Sequence, residues 1–374
     1  MTLFRAKPMA HLIKEGVLRR LTKIAATTAV IALALTGCGN DDSNKASADV
    51  CEGATGDGPK IGVAYDVGGV GDQSFNDAAY KGLTKAVDEL DATCKESSPG
   101  ASENDADREE RLRTLADAGF NPIIAAGFVY SPAMAKVAPE YPEVSFGVVD
   151  GYVTFITGDM KPVANVADLT FAEHEGSFLI GVAAALKTKA KNVGFVGGVN
   201  GPLIQKFEAG FKAGVKEIDP SIEIQTQYLS QGDPVQGFEN PAGGETAATG
   251  MYDNGADIVY HAAGKSGLGV FDAVEAAGEG NWAIGVDSDQ YLTADKSQQP
   301  YILTSMLKRV DVAVFDFVKT FVDGEASSGP VTYDVKGGGI DYATSGGFVD
   351  DIADQLDDYK AKIGSGEIEV PTAP

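Results

Sequence analysis

Residues 192–229, NVGFVGGVNGPLIQKFEAGFKAGVKEIDPSIEIQTQYL, contain the pattern that decides the fold. Small and apolar residues at 192–197 predict a strand, an amphipathic segment at 203–218 predicts a helix, and 222–229 predicts another strand. Apolar strands that alternate with helices are typical of parallel sheets covered by helices on both faces. The stretch therefore predicts a doubly wound α/β unit.

The same alternation extends over most of the chain. Further strands are predicted at 60–65, 121–126, 144–149, 164–170, 257–261, 282–286 and 301–306. Further helices are predicted at 74–90, 132–139, 173–187, 246–254, 268–277 and 310–322. A chain of 374 residues with this many strands exceeds one compact sheet, so we expect two lobes.

The N-terminus has the features of an export signal. A basic stretch precedes an apolar run at 24–35, which fits a signal-peptide core and is too short to span a bilayer. The run ends in the sequence LTGC at 35–38, which resembles the bacterial lipobox, where the cysteine becomes the lipidated first mature residue. The alternative is a chance cysteine after an apolar run. We expect a signal peptide at 1–37 and a polar, lipidated tether at 38–57.

The net charge and the other two cysteines further limit the class of protein that this chain can be. The chain has a net charge of −24, although its leader is basic, and such an acidic body would be repelled by nucleic acid and by anionic lipid. In an oxidising compartment, the two remaining cysteines, Cys51 and Cys94, are expected to form a disulfide. Two cysteines this far apart are too few ligands for a structural metal.

Small or acidic residues follow six of the predicted strands. In parallel sheets, ligands bind beyond the carboxyl ends of the strands, where glycines let the backbone approach and aspartates accept hydrogen bonds. Ordinary turn chemistry favours the same residues. Their recurrence in an exported chain favours a shared cleft; the segments are 66–69, 126–127, 150–151, 197–198, 262–264 and 287–289.

Several long strings resemble the basic membrane protein family of lipoproteins, which includes purine nucleoside receptor proteins. They are GGVGDQSFN at 68–76, AEHEGSF at 172–178, VGFVGG at 193–198, GAD at 255–257, HAAG at 261–264, GVD at 285–287 and TSMLKR at 304–309. The family is similar to type I periplasmic binding proteins, with two doubly wound lobes and three crossings. The resemblance implies a first lobe of 58–152 plus 287–325 and a second of 153–286 plus 326–374.

The resemblance also implies a ligand and partners. Family members are lipid-anchored, through acyl chains such as palmitate, at the outer face of the cell membrane. They deliver ligand to the permease of an ABC importer. We therefore expect a nucleoside ligand, an importer as partner, a monomeric chain, and neither a cofactor nor a nucleic-acid partner.

A nucleoside has a flat base and an uncharged ribose with vicinal hydroxyls, so its site needs aromatic faces and paired acceptors. Tyr80 and Phe238 match positions where the family stacks the base. Stacking contributes about 0.5–1.5 kcal/mol beyond area burial. Phe238 could instead pin a long loop at 230–244. Phe207 is a weaker candidate because Phe207 and Phe211 resemble a core stripe.

The ribose contacts are expected from polar residues after the strands. Asp287 offers two oxygens to the diol, Lys308 can donate to the sugar and balance that carboxylate, and Gly264 lets backbone amides approach. Asp72 and Asp150 are expected to contact base or ribose, although Asp150 could also be a turn aspartate. The sequence departs from the family at two positions, Gly71 in place of Asn or Asp and Gln73 in place of a common Lys, which bears on base selectivity.

Two other classes of function are alternatives to the capture of a nucleoside and its delivery to an importer. One is a surface sensor or interaction lipoprotein that binds a different small polar ligand. The other is a nucleoside hydrolase, which would need an acidic cluster with bound calcium, whereas the aspartates here are dispersed. His174 and His261 are far apart, and no P-loop or GxSxG motif is present. We expect a binding protein and no enzyme.

The lipobox generates the first testable prediction. Cys38→Ala removes the thiol that would carry the lipid, so we expect the variant to be released from cells or to stay unprocessed. Phase partitioning of whole-cell extracts in detergent measures this directly. A variant that enters the detergent phase as the parent does would contradict the lipoprotein assignment.

Overall fold

The computed structural model describes residues 50–158, 160–325 and 327–374; the predicted signal peptide, Cys38 and most of the predicted tether lie outside the described residues. The strands are β1 Lys60–Ala64, β2 Thr93–Ser97, β3 Ile123–Ala126, β4 Phe146–Val149, β5 Val166–Phe171, β6 Asn192–Val199, β7 Glu223–Ser230, β8 Ile258–Ala262, β9 Trp282–Asp287, β10 Ile302–Lys308, β11 Gly329–Tyr333 and β12 Ile340–Tyr342.

The helices alternate with these strands. They are α1 Phe75–Leu90, α2 Asp105–Asp117, α3 Ser131–Val137, α4 Val153–Ile156, α5 Glu173–Lys187, α6 Pro202–Ile218, α7 Pro234–Phe238, α8 Pro241–Asp253, α9 Leu268–Ala277, α10 Val310–Val322 and α11 Ala353–Ser365. None of the described helices has the length and apolarity required to cross a bilayer.

The strands form two six-stranded sheets. The first has the order β11-β5-β4-β3-β1-β2, with every pair parallel. The second has the order β12-β10-β9-β8-β6-β7 and is parallel except for the β10–β12 pair at its edge. The predicted fold class, two doubly wound α/β lobes, is confirmed.

The chain crosses between the two sheets three times. After β5 it enters α5, which packs against α6 and β10 of the second sheet. After β10 it enters α10, which packs against α1 of the first sheet. After β11 it continues to β12 in the second sheet. These crossings agree with the expected type I arrangement.

Three strands lie in a different sheet from the one that the expected lobe boundaries imply. β5 falls within 153–286, assigned to the second lobe, yet it pairs with β4 of the first sheet. β10 falls within 287–325, assigned to the first lobe, yet it pairs with β9 of the second sheet. β11 falls within 326–374, assigned to the second lobe, yet it pairs with β5 of the first sheet. Each strand completes its sheet before the chain crosses, so all three crossings come later than the boundaries expected from the resemblance.

The segment at 230–244 differs from the expected long loop because it contains α7 and the start of α8. The Asp233 carboxylate caps α7 by accepting from the backbone N–H groups of Val235 and Gln236. Asn240 caps α8 by accepting from the N–H of Gly243. A proline at the first helical position follows each cap, where its missing N–H costs nothing. Capping thus converts a Pro- and Gly-rich segment into short helices that fix Phe238.

Helices α5 and α6 pack with backbone against backbone. A Cβ on Gly181 would lie 2.2 Å from the carbonyl oxygen of Phe211, and one on Gly214 would lie 2.0 Å from that of Phe178. Both distances are far below van der Waals contact, so only glycine fits at these positions. The close approach fixes α5, whose first residue, Glu173, lies beside the site described below.

The predicted disulfide between Cys51 and Cys94 is present, with Cα atoms 5.0 Å apart. It ties the segment before β1 to β2 at the edge of the first sheet. Because 43 residues separate the cysteines, the chain-entropy model assigns the crosslink about 4 kcal/mol of stabilisation.

This bond generates the second prediction. Replacing both cysteines, Cys51→Ser with Cys94→Ser, should lower the free energy of unfolding by about 2–4 kcal/mol because the unfolded chain regains loop freedom. Urea denaturation of the oxidised parent and the double variant measures the difference. Reduction of the parent should lower its midpoint similarly. Equal midpoints for all three samples would show that the crosslink contributes no stability.

Candidate functional site

Residues from both sheets line one cleft at the carboxyl ends of the strands. The first sheet contributes residues that follow β1, β3 and β4, and the second contributes residues at the ends of β8, β9 and β10. The cleft encloses ≈ 520 Å³ of space free of protein atoms, counted out to its open mouth. We refer to this space as the interlobe cleft.

Lys308, at the end of β10, is the basic residue of this cleft. Its Nζ lies 2.6 Å from Oδ2 of Asp150 and 3.8 Å from Oε1 of Glu173, and both side chains of the Lys308–Asp150 pair are almost fully buried. Burial alone would lower the pKa of Lys308, but Asp150, Asp287 and Glu173 raise it above its ordinary value. Lys308 therefore stays charged inside the protein.

The ammonium group also lies among aromatic rings. Its distances to the ring centroids of Phe75, Phe171 and Phe207 are 5.0, 5.1 and 5.6 Å. Each distance is within the range of a cation–π interaction. Rings from α1, β5 and α6 thus hold Lys308 in place on several sides.

Asp287 is the last residue of β9 and also lines the interlobe cleft. Its Oδ2 accepts a hydrogen bond of 2.7 Å from Oγ of Ser74, and burial raises its pKa to about 6. Asp287 and Asp150 both have left-handed backbones, with φ of 65° and 60°. Non-glycine residues seldom adopt this conformation, and those that do are concentrated at functional sites.

Asp72 has a different position from the one expected of a direct ligand contact. Its Oδ1 accepts from the backbone N–H groups of Ser74 and Asp77, and its Oδ2 accepts from the backbone N–H and side-chain amide of Asn76. It therefore caps α1 and orients Asn76, although it also lines the cleft. These donors engage both oxygens of Asp72, so its carboxylate is committed to the start of α1.

Asp66 and Asn76 also line the cleft, although neither was predicted as a ligand contact. The Asn76 side-chain oxygen accepts from the N–H of Asp66, and Oδ1 of Asp66 accepts from the N–H of Val67. Burial raises the pKa of Asp66 to about 7. The sequence could have indicated both residues, since Asp66 directly follows the first predicted strand and Asn76 ends the GGVGDQSFN string.

The aromatic side chains of the cleft are Phe75, Phe128, Phe207 and Phe238. Phe128 and Phe238 meet edge to face with ring centroids 6.1 Å apart. Phe238 lies directly over Gly198, where a Cβ would be 2.3 Å from its ring. Gly264 also lines the cleft, and its φ of 53° favours glycine. Phe238 and Gly264 therefore both line the cleft.

Tyr80 is not brought to this cleft in the described structure. It lies one turn beyond Asn76 on α1 and packs against the core of the first sheet. Gly71 and Gln73 also stay outside the cleft lining; their N–H groups donate to the carboxylate of Asp77. The two departures from the family therefore shape the turn before α1, and Phe75, on the same helix as Tyr80, is the residue that lines the cleft.

His174 and His261, the two histidines among the described residues, lie in largely buried surroundings. Burial lowers the pKa of His174 to about 4 and that of His261 to about 3. His261 packs edge to face on Phe271, with ring centroids 5.3 Å apart. Both are therefore neutral at physiological pH. Among the described residues, no group of three or more His, Cys, Asp or Glu side chains is arranged to hold a metal ion.

Two doubly wound sheets, three crossings and a cleft at their strand ends define a two-lobed solute-binding protein. The family model for ABC transporter substrate-binding proteins of the PnrA-like (Bmp) type matches residues 59–373, and the chain belongs to this family. Its members are solute-binding proteins of ABC transporters and not enzymes, which confirms the expectation of a non-enzyme.

Relatives of known name support this membership. The chain is 31% identical to the CD4+ T-cell-stimulating antigen of Listeria innocua, over 96% of this chain and 100% of that one. It is 30% identical to the ABC transporter nucleoside-binding protein BmpA of Lactococcus lactis, over 95% and 99%. The crystal structure of an ABC transporter solute-binding protein from Aeropyrum pernix aligns with a TM-score of 0.72 at 28% identity, over 84% and 93%.

The buried acids generate the third prediction. The pKa of Asp66 rises from 3.8 to about 7, so the folded chain holds a proton there that the unfolded chain has already lost. The stability that Asp66 contributes is therefore complete below about pH 3.8 and is lost as the pH rises through 7. We expect Asp66→Asn to gain stability relative to the parent as pH rises from 4 to 8, by at most about 1.4 kcal/mol per pH unit.

Denaturation of the ligand-free protein at a series of pH values measures this difference. Asp88→Asn, at an exposed position on α1, provides the control and should track the parent. Parallel curves for Asp66→Asn and the parent would contradict the assignment of a raised pKa to Asp66.

Proposed function

We propose that this substrate-binding protein captures nucleosides, with purine nucleosides preferred, in the interlobe cleft and delivers them to the permease of an ABC importer. The observation that carries the proposal is the placement of Asp287 and Lys308 beside aromatic side chains in one buried cleft. This combination matches the two halves of a nucleoside, a polar sugar and a flat base.

The sugar would bind at the acidic end. Asp287 keeps its Oδ2 on Ser74 and offers its remaining lone pairs to the vicinal hydroxyls. Lys308 directs one N–H to Asp150 and has two others for sugar oxygens. A charge-assisted hydrogen bond is roughly twice as strong as a neutral one, so the two groups would account for much of the sugar affinity.

The base would lie among the phenylalanine rings. Phe238 is fixed by α7 and by its contact with Gly198, so it provides a rigid face at little entropic cost. The amide nitrogen of Asn76 donates to Asp72 and Val67, and its Oδ1 has one lone pair left to accept from a donor on the base. Asp66 lies beside Asn76, and its raised pKa allows the carboxyl to donate a hydrogen bond near neutral pH.

Charge would exclude phosphorylated ligands. Lys308 is accompanied by Asp66, Asp72, Asp150 and Asp287 among the residues that line the cleft, and no arginine is among them. A phosphate would be repelled by this set of carboxylates and would lack a bidentate partner. The site therefore suits an uncharged nucleoside rather than a nucleotide.

The proposal also covers the cellular location and the oligomeric state of the protein. We infer that Cys38 carries a lipid that holds the chain at the outer face of the cell membrane, and that the chain acts there as a monomer. The lipobox at 35–38 and the polar residues after it support this. The nucleoside-binding BmpA relative supports the ligand class.

The fourth prediction tests the sugar contacts by calorimetry on the mature chain. Removal of one ribose hydroxyl leaves a buried acceptor unpaired, which costs about 1–3 kcal/mol. Deoxynucleosides should therefore bind roughly ten- to a hundredfold more weakly than adenosine, guanosine and inosine. Adenine should bind more weakly still, and AMP should not bind.

Asp287→Asn should abolish most of the preference for ribose over deoxyribose. Asp257→Asn is the matched control, because Asp257 is a buried aspartate at the opposite end of the second sheet, bonded to Thr188 and Lys189. It should keep the preference. Equal affinity for all the ligands, or none for any, would refute the nucleoside assignment and leave a binding protein for another small polar molecule.

A further inference from the structure

A second chamber adjoins the interlobe cleft. It encloses ≈ 1190 Å³, counted in the same way, and shares Phe128, Asp150, Leu203 and Ile204 with the cleft. The two spaces are therefore adjacent, and Asp150 lies on the wall common to both. A nucleoside in the cleft would leave this chamber unfilled.

Two carboxylate oxygens at the junction have no hydrogen-bond partner. They are Oδ1 of Asp150 and Oε1 of Glu173, and both side chains are more than nine-tenths buried. Their other oxygens are occupied, by Lys308 for Asp150 and by Lys206 for Glu173. The junction therefore accepts hydrogen bonds and lies at the end of the cleft where Lys308 is found.

Beyond the junction the chamber is predominantly apolar. Tyr152, Phe155, Val199 and Pro202 contribute to its walls, and 58% of the Phe155 surface is exposed. Its lysine, Lys206, is committed to Glu173 at 3.1 Å. An apolar group that enters the chamber would cover these side chains without displacing an ion pair.

We propose that the second chamber is an extension subsite for nucleosides that carry an apolar substituent on the primary carbon of the sugar, such as a 5′-thioether. The inference rests on the proposed function, because it places the ribose at Asp287 and Lys308 and the base at Phe238. With that orientation, the ribose would lie beside Asp150, on the wall common to both spaces. Three of the rings around the base, Phe75, Phe207 and Phe238, do not line the chamber.

The test is a calorimetric series on the mature chain. The ligands are adenosine, 5′-deoxyadenosine and the 5′-methylthio and 5′-butylthio derivatives of 5′-deoxyadenosine, with N6-butyladenosine as the base-substituted comparison. Burial of one methylene corresponds to about a fourfold gain in affinity. The affinity should rise from 5′-deoxyadenosine to the methylthio and then to the butylthio compound, whereas N6-butyladenosine should bind more weakly than adenosine.

Gly201→Phe is designed to fill the chamber without disturbing the fold. Gly201 lines the chamber, its backbone is extended, and a Cβ there would meet no atom within 4 Å. The variant should keep adenosine affinity and lose at least tenfold for the butylthio compound. Gly250→Phe is the matched control, since its Cβ would also meet no atom within 4 Å, and it lies on α8 outside the chamber.

The outcomes separate the two proposals. Adenosine binding with thioethers weaker than 5′-deoxyadenosine would overturn the extension subsite and leave the proposed function standing. A gain for the butylthio compound that survives Gly201→Phe would also overturn it, because the chain would then be binding elsewhere. Failure of every nucleoside to bind would overturn the proposed function and the subsite with it.

Discussion

The ion pair between Lys308 and Asp150 is the interaction on which the site depends. Lys308 ends β10 in the second sheet, and Asp150 follows β4 in the first, so a contact of 2.6 Å bridges the two sheets. A buried charge without a partner is strongly destabilising, so neither residue can be replaced alone without large cost. The pair therefore fixes how the strand ends of the two sheets are placed around the cleft.

The charge balance around that pair determines what the cleft can accept. Glu173 and Asp287 add to the negative charge, and burial raises the pKa of both carboxyls. Each therefore gains from a ligand that donates hydrogen bonds. An uncharged polyhydroxylated ligand supplies such donors, whereas an anion would increase the repulsion. Asp150, Glu173 and Asp287 also keep the buried Lys308 charged, so a single lysine can lie among the carboxylates of the cleft.

Much of the fold was predictable because apolar strands and amphipathic helices leave a strong periodic signal. Two of the missed elements lack that signal: β2 is TCKES, and α2 is mostly charged. The placement of β5, β10 and β11 in the other sheet also leaves no local trace, since strand pairing is set by contacts far apart in sequence. Capping residues at Asp233 and Asn240 were visible, but the glycines and prolines around them favoured a loop.

The site was predictable where a polar residue ends a strand, as with Asp150, Asp287 and Lys308. The sequence does not reveal that Asp72 has both its oxygens occupied by the start of α1. Nor does it show that Glu173, at the first turn of α5, is fully buried beside Lys308. Such contacts depend on how the two lobes meet. Tyr80 was expected in the cleft from the family resemblance alone, whereas Phe75 is the residue of α1 that lines it.

A crystal structure of the mature chain with adenosine would test the central claim most directly. We predict that both vicinal hydroxyls lie within hydrogen-bond distance of Asp287, that Lys308 contacts the sugar while it remains paired with Asp150, and that the base contacts Phe238. A complex in which the base occupies the acidic end and the ribose lies among the phenylalanine rings would contradict the account, as would a ligand bound outside the cleft.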